Sequence, residues 1–210
     1  MMTEWEQKTM DHAKQTLAFY DRNTDAFVAG SRDVDLREIQ TRFLACLSPH
    51  ALILDFGCGS GRDTKAFLET GYRVEAVDGS EKICAAASEY TGIPVRKMLL
   101  QELAERERYD GIWASASLLH LTKGELPEVL GRIERAMKPG GVMYASFKYG
   151  EFEGLRDGRY YTDFTEETLK AFWEKEEVPM EIMDLWVTED ALPERRTQKW
   201  VNVLARRRQE

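Results

Sequence analysis

Apolar positions along the chain change their spacing in a regular way. Leu36, Ile39, Phe43, Leu44 and Leu47 recur at three- and four-residue intervals, which predicts one buried helix face over 36–47, stopped by Pro49. Beyond it, short apolar runs at 51–55, 72–77, 94–98, 109–115 and 142–147 read as strands. Between them, 63–70, 81–90 and 124–137 read as helices. Asp63 is placed to cap the first of these, and Gly71 and Gly92 close the first two. Strands alternating with helices predict an α/β domain with a parallel sheet and helices on both faces.

The two ends depart from that rhythm. Residues 3–21 read as a helix anchored by Trp5, Leu17, Phe19 and Tyr20. Residues 22–35 are polar and broken by Gly30, a loop or short helix. After a helix at 165–176, capped by Thr165, two strand-like runs at 181–188 and 198–205 are joined by a loop containing Pro193. No helix separates them, so they are expected to form an antiparallel pair at the sheet edge. Residues 148–162, rich in glycine, aromatics and arginine, read as a long connection leaving the C-terminal end of a strand. Open parallel sheets bind their ligands at that end.

The candidate chemistry begins where the first strand stops. Asp55 is followed by Gly57, Gly59 and Gly61 in alternation, and the next strand ends in Asp78 before Gly79 and Ser80. A glycine loop opening a helix lets backbone approach a ligand, and an acid at the next strand tip accepts hydrogen bonds from ribose hydroxyls. The pairing predicts a nucleoside-containing cofactor. A dinucleotide loop would need a third glycine where Arg62 stands, and Arg62-Asp63-Thr64 does not supply the Gly-Lys-Ser/Thr of a phosphate-binding loop.

Apolar-Asp-x-Gly-x-Gly-x-Gly followed by Val-Asp resembles the class I S-adenosylmethionine-dependent methyltransferases. Tyr109 to Ala114 with Leu118-Leu119-His120 is similar to that family's fourth strand and following loop. Met137-Lys138-Pro139-Gly140-Gly141-Val142 is similar to the turn into its fifth. The resemblance spans roughly residues 50–147. It implies a Rossmann-like, doubly wound sheet, mostly parallel with an antiparallel last strand, and S-adenosyl-L-methionine as cofactor. One domain is expected: N-terminal helices and lid over 1–48, a cofactor-binding half over 49–147, and an acceptor loop, helix and strand pair over 148–210. The glycines, Asp55, Asp78, Gly79 and Ser80 are then cofactor residues. Gln101 or Glu102, with Met98, would contact adenine, and Ser115 the methionine part. The lid would place Tyr20 and Phe27 over the cofactor's apolar parts and Arg32 or Arg42 against its carboxylate. His120 is a candidate base and Tyr161 a candidate acceptor-wall residue.

Composition narrows the partners. Hydrophobic residues make up 43% and charged residues 31%, a globular balance, and no apolar stretch has the length of a membrane span. The N-terminus has no secretory pattern, so a cytoplasmic location is expected. Three widely spaced cysteines predict neither a disulfide framework nor a metal site. A net charge of −8 does not suit non-specific nucleic-acid binding. With no Asn/Asp-Pro-Pro-Tyr/Phe box and no Pro-Cys nucleophile, the expected acceptor is a small molecule. The alternatives are a tRNA or other nucleic acid held by Arg156, Arg159 and the arginine-rich tail, or a non-catalytic S-adenosylmethionine-binding protein. Oligomeric state is left open.

Overall fold

Leu52–Phe56 (β1) lies between two parallel neighbours, and four of its five residues are buried. The computed structural model describes residues 4–192 and 195–209, with side chains from His12 onward. The anchor Trp5 and the loop residue Pro193 therefore lie outside the described side chains. Three helices precede the sheet: α1 (Glu4–Arg22), α2 (Thr24–Ser31) and α3 (Arg37–Leu44). The polar 22–35 stretch thus contains a short helix. After β1 come α4 (Arg62–Glu69), β2 (Arg73–Asp78), α5 (Glu81–Thr91), β3 (Val95–Lys97), β4 (Tyr109–Ala114), α6 (Leu126–Ala136) and β5 (Met137–Lys148).

β5 starts five residues earlier than its apolar run, because Met137 already pairs with Tyr109 before a register shift across the Pro139-Gly140-Gly141 turn. The stretch read as a long connection is a hairpin, β6 (Glu153–Arg156) and β7 (Arg159–Thr162). Its signal was Asp157-Gly158, both at positive φ (52° and 77°), the pair a two-residue type I′ turn requires. α7 (Glu166–Lys175) then leads to β8 (Met180–Glu189) and β9 (Lys199–Arg207).

The seven-stranded sheet has the order β3-β2-β1-β4-β5-β9-β8. The last two strands form the expected antiparallel pair at the sheet edge, with β9 inserted between β5 and β8 and paired antiparallel to both. Alternation along β1 sends Leu54 and Phe56 into a core shared with α6 and α7, and Ile53 into one shared with α3 and α4. Helices therefore cover both faces, and the architecture is Rossmann-like and doubly wound. Thr16 of α1 accepts a hydrogen bond from the Tyr160 backbone N–H at 3.0 Å, which ties the first helix to the hairpin. Together they roof the C-terminal ends of β1, β4 and β5. No described helix is long and apolar enough to cross a membrane.

Candidate functional site

A cavity of about 480 Å³ opens at those strand ends, beneath the roof. Its first wall is the turn after β1. A Cβ on Gly57 would lie 2.5 Å from Ser117 Cβ, and one on Gly59 would lie 3.2 Å from the Phe27 ring of α2. Both positions have positive φ, so backbone alone can line the cavity there. Asp78 closes the next strand. One carboxylate oxygen accepts the Gly59 N–H at 3.0 Å and the other the Ser80 N–H at 2.9 Å. Burial raises its pKa, against the pull of the Ser80, Gly59 and Gly79 backbone groups. Its remaining lone pairs are available to a ligand's hydroxyls.

Gly79, Met98 and Gln101 continue this wall. The Gln101 side-chain amide donates to Glu125 at 2.9 Å, so an acid from the start of α6 stands behind it. On the far side of β1 the turn after β4 holds Ser115, Ala116 and Ser117. Ala116 has φ 50°, an uncommon conformation for a residue with a Cβ, and it is braced from both sides. Its N–H donates to Ser146 at 2.9 Å, and Ser117 Oγ donates to the Phe56 carbonyl at 2.7 Å.

Five of the expected cofactor residues do not line the cavity. Asp55 points to the α3/α4 face like Ile53, and accepts the Thr64 hydroxyl. Burial raises its pKa, with the neighbouring Asp63 adding to the effect. Burial would raise Asp63 as well, but Arg62, Trp113 and Gln40 hold it low. The expected helix cap at Asp63 is therefore a buried acceptor inside α4, and Gly61 takes the cap position. A Cβ on Gly61 would meet Thr91 at 2.7 Å, so this glycine serves the packing of α4 on α5. Ser80 caps α5 through the Ile83 N–H and donates to Asp21 of α1. Arg32 turns outward over the Tyr90 ring, 4.1 Å from its centroid, and donates to the Ala86 carbonyl. Arg42 stacks on Trp186 and pairs with Asp184 at 3.0 Å. Helix geometry explains both arginines: each projects from the face of its helix that meets a neighbouring element.

The roof brings Tyr20, Phe27, His120 and Tyr161 together. Tyr20 meets Phe27 edge-on at 5.0 Å and His120 at 5.6 Å, and His120 meets Tyr161 at 5.1 Å. His120 Nδ1 lies 2.7 Å from the Tyr160 carbonyl, which can only accept, so that nitrogen carries the proton. Its Nε2 therefore accepts the Tyr20 hydroxyl at 2.9 Å. Burial, then the charges of Arg159 and Lys148, push the imidazole down to about 4, while the carbonyl acts the other way. This corrects the expected base: both ring nitrogens are engaged by the protein, and the ring is weakly basic.

Pattern reading gave Lys148 and Asn202 no role and Arg159 only a nucleic-acid contact, yet all three line the cavity. Arg159 was legible only through the Asp-Gly hairpin turn that aims β7 back at the site. Among the described residues no His/Cys/Asp/Glu cluster could hold a metal.

Residues 53–141 match a methyltransferase domain family. The chain is 31% identical over 119 residues to a ubiquinone biosynthesis O-methyltransferase of Rhodopseudomonas palustris, covering 53% of this chain and 46% of that protein. It thus spans about half the length of that curated relative. It is 28% identical over 153 residues to an uncharacterised methyltransferase of Geobacillus kaustophilus, covering 70% of each. Among solved structures, the 1,6-didemethyltoxoflavin N1-methyltransferase of Burkholderia thailandensis, crystallised with 1,6-didemethyltoxoflavin and S-adenosylhomocysteine, superposes with a TM-score of 0.77. That match has 24% identity and covers 95% of this chain and 90% of the other. With the strand order, the glycine turn and Asp78 already in place, these likenesses show a methyltransferase domain over residues 53–141 in a Rossmann-like fold, similar to the class I S-adenosylmethionine-dependent methyltransferases.

Proposed function

We propose that the protein transfers a methyl group from S-adenosylmethionine to a small-molecule acceptor by in-line displacement. The observation that carries this reading is Asp78, its two oxygens steadied by the Gly59 and Ser80 N–H groups with further acceptor capacity directed to the cavity. Gly57 and Gly59 offer the side-chain-free backbone that a cofactor needs. Met98 and Gln101 would flank its adenine, and Ser115 its methionine part. Tyr20 and Phe27 would cover it from the lid.

When bound, S-adenosylmethionine supplies a methyl group already activated by its sulfonium charge. The protein's part is to align the acceptor and exclude water. Tyr161 and the Tyr20–His120 pair form the ceiling over the second half of the cavity. His120 acts there as a positioning residue: its Nδ1–H is fixed on the Tyr160 carbonyl, so Nε2 orients the Tyr20 hydroxyl. The roofed cavity of about 480 Å³ suits a metabolite-sized acceptor beside the cofactor.

Calorimetry tests the reading. S-adenosylmethionine and S-adenosylhomocysteine are expected to bind one site per chain, and NAD is not. Asp78→Ala is expected to lose about 1.5–3 kcal/mol of binding, the range for hydrogen bonds to a charged group. Unchanged affinity in that variant would remove Asp78 from the site.

A further inference from the structure

The hairpin carries a charge that the methyl-transfer chemistry does not use. Arg159 lines the cavity from β7 and makes no ion pair among the described residues. Its Nε is buried with no hydrogen-bond partner there. The guanidinium lies against aromatic faces, 4.3 Å from the centroid of Phe19, 5.3 Å from that of Tyr161 and 5.8 Å from that of Tyr20. A second cation shares this corner: Lys148 Nζ, at the end of β5, lies 5.5 Å from the Tyr161 centroid and 5.6 Å from that of Trp200. It donates to Gln198 but also makes no ion pair among the described residues.

Three of the nearby acids are occupied. Arg156, 4.5 Å from the Tyr161 centroid, is matched to Asp163 by two 3.0 Å hydrogen bonds. Asp190 accepts from Trp200 Nε1 and the Leu192 N–H. Glu153 accepts from Tyr160 and Lys123. Two cations thus converge on one aromatic ring without a matching anion, in a corner where unpaired charge is costly.

Their place in the sheet decides what they face. Asp78 ends β2 and Met98 follows β3, on one side of β1. Lys148 ends β5 and Trp200 opens β9, on the other side, beyond β4. Resting on the methyltransferase reading, we infer that the acceptor is a small planar molecule bearing a carboxylate, which Arg159 and Lys148 bind beside Tyr161. The planar guanidinium can meet a carboxylate with two parallel hydrogen bonds, and the aromatic rings give a flat molecule its apolar contact. Burial, with the same two cations adding to it, keeps His120 uncharged, so the ring does not compete with them for the anion.

Calorimetry in the presence of saturating S-adenosylhomocysteine tests this with benzoate and 3,4-dihydroxybenzoate against benzamide and 3,4-dihydroxybenzamide. The carboxylates are expected to bind at least about tenfold more tightly than the amides. Arg159→Gln and Lys148→Gln are each expected to reduce that preference and together to abolish it, with S-adenosylhomocysteine affinity unchanged. Circular dichroism checks that the variants remain folded. No preference, a preference that survives in the double variant, or no carboxylate binding at millimolar concentration overturns the inference. So does a loss of S-adenosylhomocysteine affinity in Arg159→Gln, which would assign the arginine to the cofactor's own carboxylate. Failure of the wild-type protein to bind S-adenosylhomocysteine would instead overturn the methyltransferase reading, and carboxylate binding would then be read without it.

Discussion

His120 shows how a single residue's surroundings fix its chemistry. The sequence places it in a loop facing the acceptor, where an unperturbed imidazole with pKa near 6.5 would be a useful base. In the structure burial and two cations push it down to about 4. Between those values the unfolded chain binds a proton that the folded one does not, so stability rises with pH. The contribution is fully present above about 6.5 and is lost as the pH falls through about 4. It amounts to at most about 3 kcal/mol, since each pKa unit is worth 1.36 kcal/mol. Urea unfolding at a series of pH values is expected to show a steeper loss of stability over that window in the wild-type protein than in His120→Gln. Parallel curves would mean that the ring is not held neutral by the fold. The same pKa implies that turnover, once an acceptor is identified, does not rise through pH 6.5 on account of this residue.

At the scale of elements, the short helix α2 is held over the site by a few contacts to the glycine turn, α4 and α5. Phe27 rests on Gly59, Arg62 donates to the Ser31 carbonyl at 3.4 Å, and Arg32 reaches the Ala86 carbonyl at 3.1 Å. Segments held by a few such contacts open at low free-energy cost. Bound cofactor would add contacts to Tyr20 and Phe27, so amide exchange over residues 20–35 is expected to slow when S-adenosylhomocysteine is added. Equal exchange with and without it would make α2 a plain connector. The elements that sequence alone made legible are those whose periodicity is imposed by burial: α1, the parallel strands, α3 to α7 and the antiparallel pair of β8 and β9. The hairpin was less legible because its strands are four residues each and one of them, Glu153–Arg156, has no fully buried residue. Site residues followed the same division. Gly57, Gly59 and Asp78 were legible because backbone geometry at a strand end constrains them. The outward turn of Arg32 and Arg42 was not, because long cationic side chains choose their partners from neighbouring elements that no local pattern reveals.

At the scale of the whole molecule, the antiparallel course of β9 separates the basic tail from the site. Trp200, near its start, pairs with Lys148 beside the cavity, whereas Arg206 pairs with Val142, six residues back along β5. Six residues of strand put roughly 20 Å between them. Arg207 is spent on structure, pairing with Glu107 and Glu134 and donating to the Met137 carbonyl. A polyanion gripped by the tail would therefore lie at the wrong end of the sheet for chemistry at Tyr161. The net charge of −8 opposes its approach as well. Unfractionated tRNA is expected to give no mobility shift at roughly physiological salt, and Arg206→Gln with Arg208→Gln is expected to leave S-adenosylhomocysteine binding unchanged. A salt-sensitive shift that those two substitutions remove would return a nucleic acid to the position of acceptor.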